Sequence, residues 1–138
     1  MKAYLGIGTN LGDRAANLHR AVEMINEQAG HVLACSSFME TEPWGFTSDN
    51  AFLNAVVEVD TPHTPYELLH ITQKIEREMG RAHKSINGNY TDRIIDIDIL
   101  LYGDERINEP DLIIPHPLMW QRSFVYEPLW EIAPHLKP

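Results

Sequence analysis

The chain has 138 residues, of which 43% are hydrophobic, enough for one compact domain with one core. Its formal net charge of −9 argues against general binding to nucleic acid or to acidic membrane surfaces, because those partners select basic proteins. We therefore expect a single domain over 1–138 that acts on small molecules as a monomer. The lone cysteine, Cys35, cannot form an internal disulfide and lies in an apolar run, so we expect a core thiol. Because nothing resembles a signal peptide or a membrane span, we expect the protein to reside in the cytoplasm.

The first half of the chain predicts three strands and one helix. Residues 3–8 form an apolar run that ends in a turn cluster, which indicates a short buried strand. Apolar residues then recur at helical spacing from Leu18 to Ala29, with Asp13 as a cap and Gly30 just past the end. Two further stretches, 31–39 and 51–59, are rich in β-branched and apolar residues and predict the second and third strands.

The second half begins with a helix whose start is strongly marked. Thr64, Pro65 and Glu67 form a capping box with proline at the first helical position, and the helix should end near Gly80. A polar loop from 81 to 92 precedes a fourth strand, which a turn at Gly103 should fold back into a hairpin through 106–107. A last helix is predicted over 124–132.

The element order is βαββαβ, which is typical of an α+β, ferredoxin-like fold with helices on one face of an antiparallel sheet. We expect this core to carry an added β-hairpin and a C-terminal helix. If the first strand lies between the third and the fourth, antiparallel to both, four distant segments meet at one sheet edge. These segments are 8–10, 41–45, 52–54 and 90–98.

Asp96 and Asp98 interrupt the otherwise apolar fourth strand. Side chains alternate along a strand, so both carboxylates should share one face with their bases roughly 6 to 7 Å apart. Two unpaired carboxylates would repel each other, whereas one or two Mg²⁺ ions would turn that repulsion into coordination. An edge strand with two solvated surface acids is an equally open interpretation at this point.

Positive charge is concentrated just before this strand. Five of the eleven Lys and Arg residues fall between positions 74 and 93. Lys74 and Arg77 fit an exposed helix face with Glu76 and Glu78. The basic residues of the following loop are instead well placed to bind a polyphosphate beside the two aspartates. These loop residues are Arg81, His83, Lys84 and Arg93.

Several segments together resemble the 6-hydroxymethyl-7,8-dihydropterin pyrophosphokinase family. The glycine-containing segment 4–11 fits neither nucleotide-binding glycine motif, but it is similar to the opening segment of that family. The resemblance continues over nearly the whole chain, through segments 36–45, 52–55, 93–98, 115–124 and 131–134. Two alternatives remain: a metal-dependent nucleotide-sugar transferase that uses Asp96 and Asp98, and a non-catalytic ferredoxin-like ligand-binding domain.

The resemblance implies transfer of pyrophosphate from ATP to the pterin hydroxymethyl group, with release of AMP and with two Mg²⁺ ions. It implies that Asp96 and Asp98 bind metal and act in catalysis together with Arg81 and Arg93. It implies a pterin site made of Thr41, Glu42, Pro43, Trp44, Phe52, Asn54 and Phe124. It implies an ATP site made of Leu69, Gln73, Glu76, Arg81, His83, Lys84, Tyr90, Arg93, Ile99, His116 and Arg122.

Overall fold

The computed structural model describes residues 1–41, 51–80 and 94–137. Within these ranges strands and helices follow the predicted βαββαβ order, with additions after the last strand. A short 3₁₀ helix, Pro134–Leu136, closes the described chain. The other elements are β1 (Lys2–Thr9), α1 (Arg14–Gln28), β2 (His31–Cys35), β3 (Met39–Thr41), β4 (Phe52–Asp60), α2 (Pro65–Glu78), β5 (Asp96–Tyr102), β6 (Ile107–Glu109), β7 (Leu112–Ile114) and α3 (Ser123–Ile132).

The main sheet has the strand order β2-β4-β1-β5, and β3 continues along the same edge of β4 that β2 occupies. β1 is antiparallel to both of its neighbours, β4 and β5, as the sequence predicted. Alternate residues of β1, including Leu5 and Ile7, are buried in the core beneath α1 and α2. This alternation follows from the period of two along a strand, and it leaves Tyr4, Gly6 and Gly8 on the other face.

Both predicted helix starts are confirmed. The Asp13 carboxylate accepts a 3.1 Å hydrogen bond from the Ala16 main chain at the start of α1. At the start of α2, Thr64 and Glu67 exchange side-chain to main-chain hydrogen bonds of 2.8 and 3.2 Å. These bonds satisfy amide groups that have no partner inside the helix, so the entry points of both crossover helices are set locally.

The predicted second strand, 31–39, is in fact two strands, β2 and β3, separated by residues 36–38. The Ser36 hydroxyl accepts a 2.9 Å hydrogen bond from the Val56 amide and donates to the Ser37 carbonyl oxygen. A side chain thus takes the place of a main-chain acceptor in the ladder, which interrupts regular pairing between β2 and β3. The β propensity of the surrounding residues does not reveal this interruption.

The predicted hairpin between the aspartate strand and residues 106–107 is wrong. After Gly103, which has a φ of +52°, the chain leaves β5, and β6 pairs instead with β7. Leu112 and Ile114 of β7 are buried in the main core, and this burial favours the later pairing. The added hairpin exists, but it is formed by β6 and β7.

The two crossover helices lie on one face of the sheet, as the fold pattern predicted, and the added C-terminal helix lies on the opposite face. α1 and α2 cover the main core, whereas α3 packs on the opposite face through Val125 and Leu129, against Tyr4, Val56 and Leu100 of three strands. The apolar stripe of α3 requires such a partner surface.

Cys35 is exposed and is not a core thiol, because β2 is an edge strand. Within the described ranges, each helix lacks the length and apolar character needed to cross a bilayer.

Candidate active site

Two rows of paired residues run across the sheet on its α3 side, each through a glycine of β1. In the first row, Gly8 of β1 pairs with Asn54 on one side and with Asp96 on the other. In the second row, Gly6 pairs with Val56 and Asp98 in the same way. Because neighbouring strands are ~4.8 Å apart, the main chains of Asn54 and Asp96 lie about 10 Å apart, with Gly8 between them.

The missing side chain at Gly8 makes room for its neighbours. A Cβ atom at this position would lie 2.8 Å from Oδ1 of Asn54 and 3.6 Å from Cδ1 of Phe52. Asn54 is only 6% exposed, and its Nδ2 donates a 3.3 Å hydrogen bond to the Met39 carbonyl oxygen. The amide is therefore held in a fixed orientation directly over the glycine.

Thr41 and Phe52 form the next paired position on the same face as Asn54, two residues further along β4 and at the same end of the sheet. The predicted meeting of Gly8, Thr41, Phe52 and Asn54 at one edge is thus confirmed. Phe52 is half-buried, so it is not an ordinary interior residue. Phe124, in the first turn of α3, is also half-buried, and the Arg122 guanidinium lies 5.8 Å from the centre of its ring.

Asp96 and Asp98 face the α3 side of β5, because the alternate residues Ile95, Ile97 and Ile99 are buried in the core beneath α1 and α2. Both aspartates are half-buried. Among the described residues, His, Cys, Asp and Glu do not form a group of three or more that could hold a metal ion. A pair of carboxylates still fits Mg²⁺, which is commonly bound by one or two carboxylates together with substrate phosphates.

His116 lies beside this pair. Its amide donates a 3.0 Å hydrogen bond to the Leu100 carbonyl oxygen, and its Nδ1 accepts one of 3.2 Å from the Leu118 amide. Burial and the Arg122 guanidinium lower the pKa of His116, while the Asp96 carboxylate opposes them. In the neutral form Nδ1 is an acceptor, so Nε2 carries the proton and is a hydrogen-bond donor.

A second group of predicted ATP contacts lies on the other side of β5. Leu69, Gln73 and Glu76 follow one stripe of α2, and Ile99 of β5 is 5% exposed on the side that packs against α2. The Glu76 carboxylate is 3% exposed and accepts a 2.8 Å hydrogen bond from the Ile97 amide. The predicted exposure of Glu76 is therefore wrong.

Glu76 satisfies a main-chain donor on the outer edge of β5, whereas the predicted exposure of Lys74 and Arg77 is confirmed. Because the two groups of candidate ATP contacts lie on opposite faces of β5, a ligand that touched both would pass over this edge of the sheet. The remaining predicted site residues lie outside the described ranges. They are Glu42, Pro43, Trp44, Arg81, His83, Lys84, Tyr90 and Arg93.

Sequence reasoning placed Gly8 at this edge of the sheet but missed its close approach to Asn54, and it missed Arg14 altogether. Gly8 has a signal that could have revealed it, because Gly6 and Gly8 remove side chains from one face of an otherwise apolar strand. Arg14 has no such signal, although its guanidinium donates a 2.9 Å hydrogen bond to the Ala51 carbonyl oxygen and contacts the Glu40 carboxylate at 3.0 Å. This residue ties the start of α1 to the strands that carry Thr41 and Phe52.

Comparisons with known proteins point to one family. The family model for 7,8-dihydro-6-hydroxymethylpterin-pyrophosphokinase (HPPK) matches residues 4–134. A 2-amino-4-hydroxy-6-hydroxymethyldihydropteridine pyrophosphokinase of Porphyromonas gingivalis is 53% identical over 136 residues, which cover 98% of this chain and 92% of the relative. The protein of the same name from Bacillus subtilis is 42% identical over 132 residues, or 95% of this chain and 77% of the relative.

Solved structures support the fold. Plasmodium falciparum HPPK-DHPS matches with a TM-score of 0.76 at 18% identity, over 99% of this chain and 40% of that longer chain. An HPPK-DHPS in complex with substrates matches with a TM-score of 0.73 over the same shares. The ferredoxin-like fold is therefore confirmed, and the family match decides against a nucleotide-sugar transferase and against a non-catalytic domain. The chain belongs to the 7,8-dihydro-6-hydroxymethylpterin-pyrophosphokinase family, ATP-dependent enzymes that transfer pyrophosphate to a hydroxymethyl-dihydropterin in folate biosynthesis.

Proposed function

We propose that the paired row Asn54, Gly8 and Asp96 is the centre of the catalytic site, with the pterin on the Asn54 side and metal-bound phosphate on the Asp96 side. The observation that carries the proposal is the register of β1 with both neighbours. It puts a fixed amide and a carboxylate about 10 Å apart on one face, with a glycine between them. A flat bicyclic ligand and a phosphate group can then meet over the glycine.

The pterin side combines hydrogen bonding with stacking. Asn54 is buried and held by Met39, so it can present a fixed polar edge to a heterocycle. Thr41 adds a hydroxyl at the next paired position on the same face, and Phe52 and Phe124 offer aromatic faces to the ring. Glu42, Pro43 and Trp44 belong to the same proposed pterin site on the strength of the family resemblance.

On the phosphate side we propose that Asp96 and Asp98 hold two Mg²⁺ ions. When bound there, the ions would neutralise phosphate charge and align the reacting oxygens. Neutral His116 donates from Nε2 to a phosphate oxygen, and Arg122 contributes a permanent positive charge next to it. Arg81, His83, Lys84, Tyr90 and Arg93 are proposed as further contacts of the polyphosphate.

We propose that the purine end of ATP lies on the other side of β5. Leu69 and Ile99 supply apolar contacts there, while Gln73 and Glu76 supply polar ones. The triphosphate then crosses the edge of β5 to reach Asp96 and Asp98. This path explains why the candidate ATP contacts occupy both faces of one strand.

In the reaction the pterin hydroxymethyl oxygen attacks the β-phosphorus of ATP. A new P–O bond forms, the bond to the oxygen bridging the α- and β-phosphorus atoms breaks, and AMP leaves with that oxygen. The chain has little covalent chemistry to do, so its residues act mainly by positioning and by charge stabilisation. Asp96 is proposed to accept the hydroxyl proton as the oxygen attacks. We also propose that 1–138 is one pyrophosphokinase domain, monomeric and cytoplasmic, that binds neither nucleic acid nor membranes.

The proposal is tested by product analysis. The purified chain, incubated with ATP, the reduced pterin and Mg²⁺, is expected to release AMP in equal amount to the pterin diphosphate. Removal of Mg²⁺ with EDTA should abolish release, and added Mg²⁺ should restore it. Asp98→Asn should fold normally but lose turnover by about 10³-fold or more, because the metal site loses one anionic ligand. Production of ADP, or full turnover without divalent metal, would overturn the assignment.

A further inference from the structure

A two-point contact joins the break between β2 and β3 to the last turn of α3. The Glu131 carboxylate accepts a 2.7 Å hydrogen bond from the Ser37 amide and a 2.5 Å hydrogen bond from the Ser37 hydroxyl. The two residues are 94 positions apart in the chain. Both donors belong to one residue and both acceptors to one carboxylate, so the contact restricts orientation as well as distance.

The contact joins α3 to the residues just before β3, and both α3 and β3 carry a residue that we propose to bind the pterin. β3 is only three residues long, pairs with β4 alone, and ends at Thr41. α3 carries Phe124 in its first turn and Glu131 in its last. The contact therefore links the strand that presents the Thr41 hydroxyl to the helix that presents the Phe124 ring.

A three-residue strand has little stability of its own, so its position depends on what holds its ends. Ser36, which directly precedes the contact, accepts a hydrogen bond from the Val56 amide, and at the other end of the segment Thr41 pairs with Phe52 of β4. The bond from Ser37 to Glu131 is then the direct polar tie from this segment to α3 among the described residues.

We propose that Ser37 and Glu131 are positioning residues that set the gap between Thr41 and Phe124, and hence the affinity for the pterin. This inference rests on the proposed function, because it takes Thr41 and Phe124 as pterin contacts. Neither positioning residue touches the substrate. Loss of the contact loosens the alignment of β3 with α3, so the pterin must restore that alignment when it binds.

The test compares Michaelis constants for the two substrates. Ser37→Ala and Glu131→Ala are expected to raise the KM for the pterin about five- to tenfold, while the KM for ATP changes less than about twofold. The double variant should be no worse than Glu131→Ala, because that change alone removes both hydrogen bonds, whereas Ser37→Ala removes only the one from the hydroxyl. Ser37→Thr keeps the hydroxyl and should restore most of the pterin affinity.

A matched control separates positioning from simple loss of stability. Thr64→Ala removes the cap of α2, on the other side of the sheet, and should lower stability by an amount similar to Ser37→Ala. It is expected to leave the KM for the pterin unchanged. An unchanged pterin KM in both Ser37→Ala and Glu131→Ala, or an equal rise in Thr64→Ala, would overturn the inference.

The inference and the proposed function fail in different ways. If Thr41→Ala and Phe124→Ala leave the pterin KM unchanged while the wild type still releases AMP, the pterin site has been placed wrongly. If these two variants weaken pterin binding but Ser37→Ala and Glu131→Ala do not, the site is correct and the contact is purely structural. Only the second result is specific to Ser37 and Glu131.

Discussion

At the scale of single residues, the two glycines of β1 differ sharply in what surrounds them. An added Cβ at Gly6 would lie 3.5 Å from the Leu100 side chain, which is ordinary van der Waals contact. At Gly8 it would lie 2.8 Å from the Asn54 amide oxygen, too close without displacement of that side chain. Neither glycine has a positive φ, so alanine fits both backbones.

We therefore predict different results for two otherwise identical substitutions. Gly8→Ala should displace Asn54 and raise the KM for the pterin by about tenfold or more, because the fixed amide loses its orientation. Gly6→Ala should change the same constant by less than about threefold. Steady-state kinetics with varied pterin at saturating ATP measures both. Equal effects of the two substitutions would contradict the proposal that the Asn54 amide binds the pterin.

His116 is a second residue with a specific expectation. Burial, reinforced by the Arg122 guanidinium, holds its pKa in the folded protein below the ordinary value of 6.5, against the opposing effect of Asp96. The folded state therefore favours the neutral ring. As the pH falls below 6.5, the unfolded chain takes up this proton more readily than the folded one, and the folded state loses stability.

The prediction is that the difference in unfolding free energy between the wild type and His116→Gln changes with pH. The wild type should lose stability relative to His116→Gln between pH 7.5 and pH 5.5. Urea unfolding at the two pH values measures this difference. A constant difference, or a relative gain of the wild type at low pH, would show that the ring is not held neutral.

At the scale of elements, the capping box of α2 should be important for stability but not for substrate binding. Thr64 and Glu67 satisfy the first amides of a helix whose buried stripe, including Leu68 and Ile75, packs on the main core. Thr64→Ala is predicted to reduce the unfolding free energy by about 1 kcal/mol, as measured by urea unfolding. A loss below about 0.3 kcal/mol would mean that the tertiary packing of α2 makes the cap redundant.

The elements that sequence reasoning predicted well are those with local signals. The caps at Asp13 and Thr64 and the alternation around Asp96 each depend on a few neighbouring residues, and the structure confirms all three. The break at Ser36 depends on a hydrogen bond to Val56, twenty residues away, and the pairing of β6 depends on burial of β7. Such long-range preferences leave no pattern in a short window of sequence.

At the scale of the whole molecule, the site depends on strand order more than on any one motif. The sequence correctly predicted that Thr41, Phe52 and Asn54 would gather near Asp96, because the order of β4, β1 and β5 requires it. It did not predict that α3 covers the opposite face from α1 and α2. That placement needs knowledge of which sheet face remains apolar after the first two helices have packed.

The placement of α3 has a functional consequence. It brings Phe124 and Arg122 to the face that carries Asn54 and Asp96, where we propose that the pterin and the phosphates bind. The opposite face of β5 meets α2, where the purine end of ATP is proposed to lie. In this proposal β5 separates two parts of a single nucleotide site, and the Ile97 amide on its outer edge donates to the Glu76 carboxylate.

The central claim is that Asp96 and Asp98 hold the ions that carry the phosphates of ATP. The most direct measurement is the number of Mn²⁺ ions, used as a paramagnetic substitute for Mg²⁺, bound per chain with a non-hydrolysable ATP analogue. We predict about two ions for the wild type, and fewer ions or at least about tenfold weaker binding for Asp98→Asn with its fold intact. The same number of ions bound with the same affinity by both proteins would contradict the account.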